Sequence, residues 1–164
     1  MIRSAATSDL ATLQQIESAA GEGFRAHGMD AVADDDPPSI TDLASFVAAG
    51  NAWVDVEAGT IRGYLLALAI DAGLHIEQVT VHPDHAGRRI GSALIEHLRE
   101  IARTRGVTCL TLTTFRDIPW NAPYYARLGF VVDDDPTPGL IAIRAQEARH
   151  GLDAWPRVVM RRPV

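Results

Sequence analysis

The stretch His75-Ile-Glu-Gln-Val-Thr-Val-His-Pro-Asp-His-Ala-Gly-Arg-Arg-Ile-Gly-Ser-Ala-Leu94 reads as a strand, a tight basic turn and the start of an amphipathic helix. Backbone N–H groups in the first turn of a helix have no partner inside it and point at whatever lies in front. The helix dipole adds partial positive charge at the same place. Such a turn is a seat for a pyrophosphate. Gly87 and Gly91 let the backbone approach an anion, Arg88 and Arg89 add charge, and Ile90 and Ser92 bring further amides.

Working outward, Ile90, Leu94, Leu98 and Ile101 form the apolar stripe of that helix, and Gly106 stands where a left-handed cap belongs. Val107 to Phe115 follows as a strand. Asn121 opens a short helix with Pro123 in its first turn. Phe130 to Asp133 and Arg157 to Arg161 read as closing strands, with a helix over Arg144 to His150 between them. Upstream, Ala52 to Glu57 and Thr60 to Ile70 are strands joined by Ala58-Gly59, and Leu74 to Val81 is the next. Ile2 to Ala5 is a short first strand. Ser8 is the expected cap of a helix carrying Leu10, Leu13, Ile16 and Ala20 and ending at Gly21. Residues 22 to 38 are expected to be irregular, with Asp34-Asp35-Asp36 a solvated loop. Ser39 and Asp42 form a capping box for a helix whose buried face is Ile40, Leu43 and Val47, stopped by Gly50. The order βααβββαβαβ(α)β predicts one α/β domain over residues 1–164, a mixed sheet with helices on both faces.

With 164 residues, 47% of them hydrophobic, the chain can bury a core. A net charge of −6 argues against nucleic acid as a partner. Cys109 is the single cysteine and reads as packing inside a strand; it excludes an intrachain disulfide and fits a reducing compartment. The first residues lack an apolar stretch suited to a signal peptide, and Tyr64 to Ile70 is far shorter than a membrane span. A soluble cytoplasmic protein with no membrane partner is expected. His82 and His85 have the spacing of a metal pair but no further ligand nearby, so no metal is expected.

Val81-His82-Pro83 and the loop after it resemble the GNAT superfamily of acetyl-CoA-dependent N-acetyltransferases. In that family Val-x-Pro is followed by Gln/Arg-x-x-Gly-x-Gly/Ala and a helix. Counted from the proline, the first loop position here is Ala86, the fourth Arg89 and the sixth Gly91; only the sixth matches. A shift of two gives a formal match from Arg88 to Ala93 but breaks the spacing from Pro83. Tyr125-Ala-Arg-Leu-Gly129-Phe130 reproduces the family's Tyr-x-x-x-Gly-Phe. The family's asparagine stands about seven residues before the tyrosine, whereas Asn121 is four before. The resemblance covers residues 75 to 130, and the first 70 residues only by element order.

The resemblance implies a mostly antiparallel central sheet with splayed central strands. It implies acetyl-CoA as acyl donor, its pantetheine arm pairing with the backbone of Val79, Thr80 and Val81, its pyrophosphate on residues 87–92, and a further contact from Asn121. The acceptor would be a small-molecule or peptide amine attacking the thioester directly, and a homodimer is left open. An alkylamine with a pKa of about 10.4 is only about one part in 2,500 neutral at pH 7. A carboxylate base is therefore useful, and Glu77, sharing a strand face with Val79 and Val81, is the candidate. Tyr125 is the candidate proton donor to the leaving thiolate. Trp120, just before its helix, is a candidate wall of the acceptor pocket. The rival reading is a catalytically weak acyl-CoA-binding regulatory module. A dinucleotide-binding oxidoreductase is a poor reading, because the glycines do not make Gly-x-Gly-x-x-Gly and no acidic residue ends a second strand at the expected distance.

Overall fold

A computed structural model describes all residues, Met1–Val164. The strands are β1 (Ile2–Ser4), β2 (Ala52–Glu57), β3 (Thr60–Ile70), β4 (Gly73–Val81), β5 (Cys109–Phe115), β6 (Val131–Val132) and β7 (Arg157–Pro163). The helices are α1 (Leu10–Gly21), α2 (Asp30–Ala33), α3 (Ile40–Ala48), α4 (Ile90–Thr104), α5 (Ala122–Arg127) and α6 (Pro138–Arg149). The seven-stranded sheet has the order β1-β2-β3-β4-β5-β7-β6. Pairing is antiparallel for β1–β2, β2–β3, β5–β7 and β6–β7, and parallel for β4–β5. The parallel ladder covers only Leu74–Ile76 against Leu110–Leu112, while β4 runs on to Val81 and β5 to Phe115. That short ladder is the splay expected from the resemblance. No helix is long and apolar enough to cross a membrane.

The chain divides into two compact units, Met1–Ala67 with Gln78–Leu98, and Leu68–Glu77 with Arg99–Val164. In the first, Leu10, Leu13, Ile16 and Leu43 of α1 and α3 pack with Ala52, Val54, Tyr64 and Leu66 on one face of β2 and β3. Alternate residues face α4. Trp53 meets His97 edge-on at 6.1 Å. A Cβ on Gly63 would lie 2.8 Å from the Thr80 carbonyl oxygen and 3.2 Å from both Ile90 Cγ2 and Val81 Cγ2. Glycine is required there because β3 touches β4 and α4 through backbone and methyl groups, with no room between. Opposite Gly63 the β2 register shifts between Asp55 and Val56, a bulge that absorbs the local bend.

In the second unit β5 pairs with β7 along its whole length, Cys109 to Phe115 against Pro163 to Arg157. Leu110, Leu112, Phe130, Leu140 and Met160 are buried. The Arg157 guanidinium lies 4.4 Å from the Phe115 ring centre, and Trp155 meets that ring edge-on at 6.3 Å. His75 on β4 is buried with Nδ1 3.0 Å from Thr111 Oγ1. Burial pulls its pKa down to about 4, so it is neutral at pH 7. Burial likewise raises the Cys109 thiol, which agrees with a packing role.

Several local expectations change. Ser8 does not cap α1: a 3-10 turn over Thr7–Asp9 comes first, and the Asp9 carboxylate accepts from the Ala6 amide at 2.8 Å. Arg3 grips that carboxylate at 2.7 and 3.1 Å and holds its pKa below the usual range. Helix α1 ends at Gly21 as expected. Residues 22–33 are not irregular, since a 3-10 helix over Glu22–His27 and α2 follow, whereas 34–38 form the expected loop with Asp34, Asp35 and Asp36 exposed. Met29 is their anchor, 1% exposed, and Arg25 ties Glu22 to Asp34. Ser39 caps α3 as expected, its Oγ accepting from Asp42 N at 3.0 Å, and Leu43 and Val47 face the core as expected, but Ile40 is exposed and Ala44 and Phe46 pack there instead. Helix α6 begins at Pro138, six residues before the expected start. The Asp71 carboxylate accepts from Gly139 N at 3.0 Å and from the Thr137 hydroxyl, a cap supplied from the far end of β3.

Candidate functional site

The turn leading into α4 has the features the anion reading needs. After Val81 the chain makes a 3-10 turn over Pro83–His85, with the Asp84 amide donating to His82 Nδ1 at 3.2 Å. This local bond accounts for His82 as a loop residue, and His85 lies in the same turn. Gly87 has φ +76° and Arg89 φ +60°. A left-handed arginine is costly, and Arg89 stands where the resembled pattern has glycine when counted from Pro83. The backbone therefore supports the register that starts at Ala86. The first intrahelical bond is Ala93 N to Arg89 O at 3.0 Å, so the amides of Ile90, Gly91 and Ser92 lie ahead of the helical ladder. The Ile90 side chain is buried in the core, and Ser92 Oγ donates to Arg89 O at 2.8 Å. Those two residues can offer a ligand backbone rather than side chains. Gly87, Arg88 and Arg89 are exposed.

Along β4 the residues alternate. Val79 and Val81 are half-buried on the α4 side. Gln78 and Thr80 face α1, where they meet a residue that sequence reasoning missed, Glu17. Its carboxylate accepts from Tyr64 OH at 2.7 Å, from Thr80 Oγ1 at 2.8 Å and from Gln78 Nε2 at 2.9 and 3.1 Å. Thr80 is thus placed with its hydroxyl on Glu17, and only its backbone is left for a pantetheine arm. The signal for Glu17 was present in the periodicity: Leu10, Leu13, Glu17 and Ala20 fall at helical spacing, so a carboxylate occupies an apolar-stripe position.

In the second unit Glu77 opens to solvent, yet the protein packed around it desolvates its carboxylate. Burial first, and the negative charge of Glu147 second, raise its pKa above the ordinary carboxylate range. Glu147, on α6, is the other residue missed. Burial would raise it too, but Arg157, Thr113 and Arg144 outweigh that and hold it low. Arg144 donates to it at 2.7 Å and Arg157 at 3.1 Å, with the Thr113 hydroxyl as a third donor. A fixed anion thus stands near a carboxylate whose proton affinity is increased.

Tyr125 is buried, 8% exposed, its ring T-shaped to Phe130 at 6.0 Å and to Tyr124 at 5.4 Å. The Tyr-x-x-x-Gly-Phe spacing has a physical cause. Gly129 has φ +90°, its amide bonds Ala126 O at 3.1 Å, and the Phe130 amide bonds Tyr125 O at 3.1 Å. These are the paired bonds of a Schellman motif, and the Phe130–Tyr125 contact is its apolar clasp. The motif explains Gly129 and Phe130 and asks of residue 125 only an apolar ring. The hydroxyl is not required by the cap. Asn121 precedes α5 without capping it by its side chain, and its Oδ1 is buried with no hydrogen-bond partner. An acceptor left open in this way fits a ligand N–H such as a pantetheine amide. Trp120 is 40% exposed. Glu77 and Tyr125 belong to the same compact unit; the turn at 87–92 belongs to the other.

Residues 12–130 match the Acetyltransferase (GNAT) family, and the chain belongs to that family. A curated relative, mycothiol acetyltransferase of Frankia casuarinae, is 33% identical over 113 residues, 67% of this chain and 32% of the relative. The chain thus spans about a third of that relative's length. Among solved structures, the PaiA N-acetyltransferase of Thermoplasma acidophilum in complex with coenzyme A superposes with a TM-score of 0.74 at 16% identity, covering 100% of this chain and 98% of that one. The ribosomal-protein-S18-alanine N-acetyltransferase of Escherichia coli gives 0.69 at 21% identity, covering 100% and 93%. These likenesses show the fold expected from the sequence.

Proposed function

We propose that this protein transfers an acetyl group from acetyl-CoA to a primary amine by direct attack on the thioester. The observation that supports it most is the turn at 87–92, with left-handed Gly87 and Arg89 delivering the amides of Ile90, Gly91 and Ser92 ahead of α4. Those amides and the two arginines would hold the pyrophosphate. The backbone of Val79 and Val81 would pair with the pantetheine arm, and Asn121 Oδ1 would accept one of its amide hydrogens. The amine nitrogen bonds the acetyl carbon as the carbon–sulfur bond breaks. Glu77 takes the proton that the amine loses, and Tyr125 donates one to the departing sulfur. The single free cysteine fits a reducing cytoplasm.

Acetyl-CoA should raise the melting temperature, because a ligand that binds only the native state stabilises it by mass action. Gly91→Glu, which sets bulk and negative charge beside the phosphates, should remove the shift. No shift and no calorimetric heat at millimolar acetyl-CoA would make the donor assignment wrong.

Glu77→Gln tests the base. Turnover should fall, and the rising limb of the pH–rate profile should move to higher pH, since attack would then depend on free neutral amine. The variant should also melt higher than the parent at pH 7. A carboxyl whose folded pKa is raised contributes stability fully below its unfolded pKa and loses it as pH rises through the folded value. An unchanged rate profile would assign deprotonation to another group.

A further inference from the structure

Two contacts with β3 fix the direction of the β4 backbone groups. His82 N donates to Arg62 O at 2.8 Å, and the Thr80 carbonyl oxygen faces Gly63, 2.8 Å from where a Cβ would stand. Backbone groups alternate along a strand, so the N–H and C=O of Val79 and Val81 point away from β3, past the end of the β5 ladder at Ile76. That is the edge on which an extended ligand would pair. A strand paired on one side needs a second tether to hold such an edge in one conformation. Glu17 is built as that tether. It follows Ile16 on α1, and Leu13 and Ile16 are buried in one core with Tyr64, so its backbone is anchored. Its carboxyl accepts from Thr80 Oγ1 at 2.8 Å and from Gln78 Nε2 at 2.9 and 3.1 Å, and Gln78 Nε2 also donates to Thr80 Oγ1 at 2.7 Å. The two pinned side chains flank Val79, and the peptide units between their Cα atoms carry the Val79 N–H and C=O. On the other face Val81 and Ile90 close on Gly63. All these residues lie in one compact unit.

We infer that Glu17 is a positioning residue for the acyl donor, holding the free edge of β4 in the conformation that pairs with the pantetheine arm. It acts through Gln78 and Thr80 and makes no contact with the donor itself. Its length suits the task, since one carboxyl spans two alternate residues of the strand and also takes the Tyr64 hydroxyl from β3 at 2.7 Å, which ties the two strands to α1 together. The inference rests on the acetyl-transfer reading in one respect, that β4 is the seat of the arm.

The test separates the arm from the nucleotide. Calorimetry gives the dissociation constants of coenzyme A and of 3′-phospho-ADP, which keeps the phosphates and lacks the arm, and their ratio isolates what the arm gains on the protein. In Glu17→Ala the ratio should fall by about 5- to 50-fold, because buried donors lose their acceptor and the pairing conformation becomes less populated. Binding of 3′-phospho-ADP should stay at the parental level, since the turn at 87–92 is untouched. Glu17→Gln keeps one acceptor oxygen and should recover part of the ratio. Thr80→Val removes one tie on β4 and should lower the ratio as well; it carries the test if Glu17→Ala gives no cooperative melt. A merely structural role would weaken both ligands together, so equal losses in a folded Glu17→Ala overturn the inference. The parental ratio in a folded Glu17→Ala or Thr80→Val overturns it too, with the arm still on β4. A parent that binds the two ligands equally would take the arm off β4 and overturn the inference along with that reading. Loss of the ratio in Glu17→Ala, with no thiol release from any amine in the parent, would uphold the positioning role while the acetyl-transfer reading fails.

Discussion

Tyr125→Phe should lower kcat and kcat/KM together by about 10- to 1,000-fold, while acetyl-CoA affinity and melting temperature stay close to the parent's. The Schellman clasp needs only the ring of residue 125, so phenylalanine preserves the Gly129 and Phe130 amide bonds and the packing against Phe130. The hydroxyl matters when the carbon–sulfur bond breaks and a thiolate, of pKa about 8.5 for a free thiol, must leave. An interaction made only in the transition state shows this signature, equal losses in both constants with binding intact. The range lies somewhat below that of many general acids because water can partly replace the hydroxyl. Tyr124→Phe is the internal control, since neighbours on a helix point about 100° apart. A fully active Tyr125→Phe, or a larger loss in Tyr124→Phe, would move the acid to another residue. Binding of acetyl-CoA with no turnover in the parent would favour the regulatory acyl-CoA-binding reading.

Gly63→Ala should destabilise the protein by about 2–3 kcal/mol, near the top of the range for overpacking. For a chain of this size that is a drop of roughly 5–10 °C in melting temperature. The added methyl would sit 2.8 Å from the Thr80 carbonyl oxygen, which is backbone and cannot swing aside. Relief requires β3 to move from β4, and β4 bears Val79 and Val81. The same substitution should therefore weaken acetyl-CoA binding, although Gly63 would touch no part of the donor. A chemical denaturation midpoint unchanged from the parent would show that the strands separate more easily than the contact suggests.

The parts legible in the sequence are those whose causes are local. The strand–turn–helix at 75–104 announces itself through the Ile90–Leu94–Leu98 stripe and the glycines before it, and the Tyr125–Phe130 spacing is a local cap. Ser39 and Asp42 bond each other within one turn, and that expectation holds. Where partners come from afar, reading along the chain fails. Helix α6 starts at Pro138 because Asp71, on the turn after β3, serves its first turn. Met29 organises residues 22–33 through burial, which composition hides under acidic residues. Ser8 and Asp9 are both good cap residues, and Arg3 on β1 and the Ala6 amide select the second. Glu17 and Glu147 were missed for the same reason. Their meaning lies in Tyr64, Gln78 and Thr80, and in Thr113 and Arg157, all brought to them by the sheet.

Arg89 sets a limit on how the donor turn can vary in sequence. Its φ of +60° is a torsion that glycine adopts freely and that asparagine and aspartate tolerate, while branched side chains resist it. None of the residues that suit this torsion best carries a positive charge. Substitution at position 89 is thus caught between two incompatible rankings, one torsional and one electrostatic. Glycine is best for the backbone and worst for attracting an anion, lysine preserves the charge without easing the torsion, and valine or isoleucine serves neither.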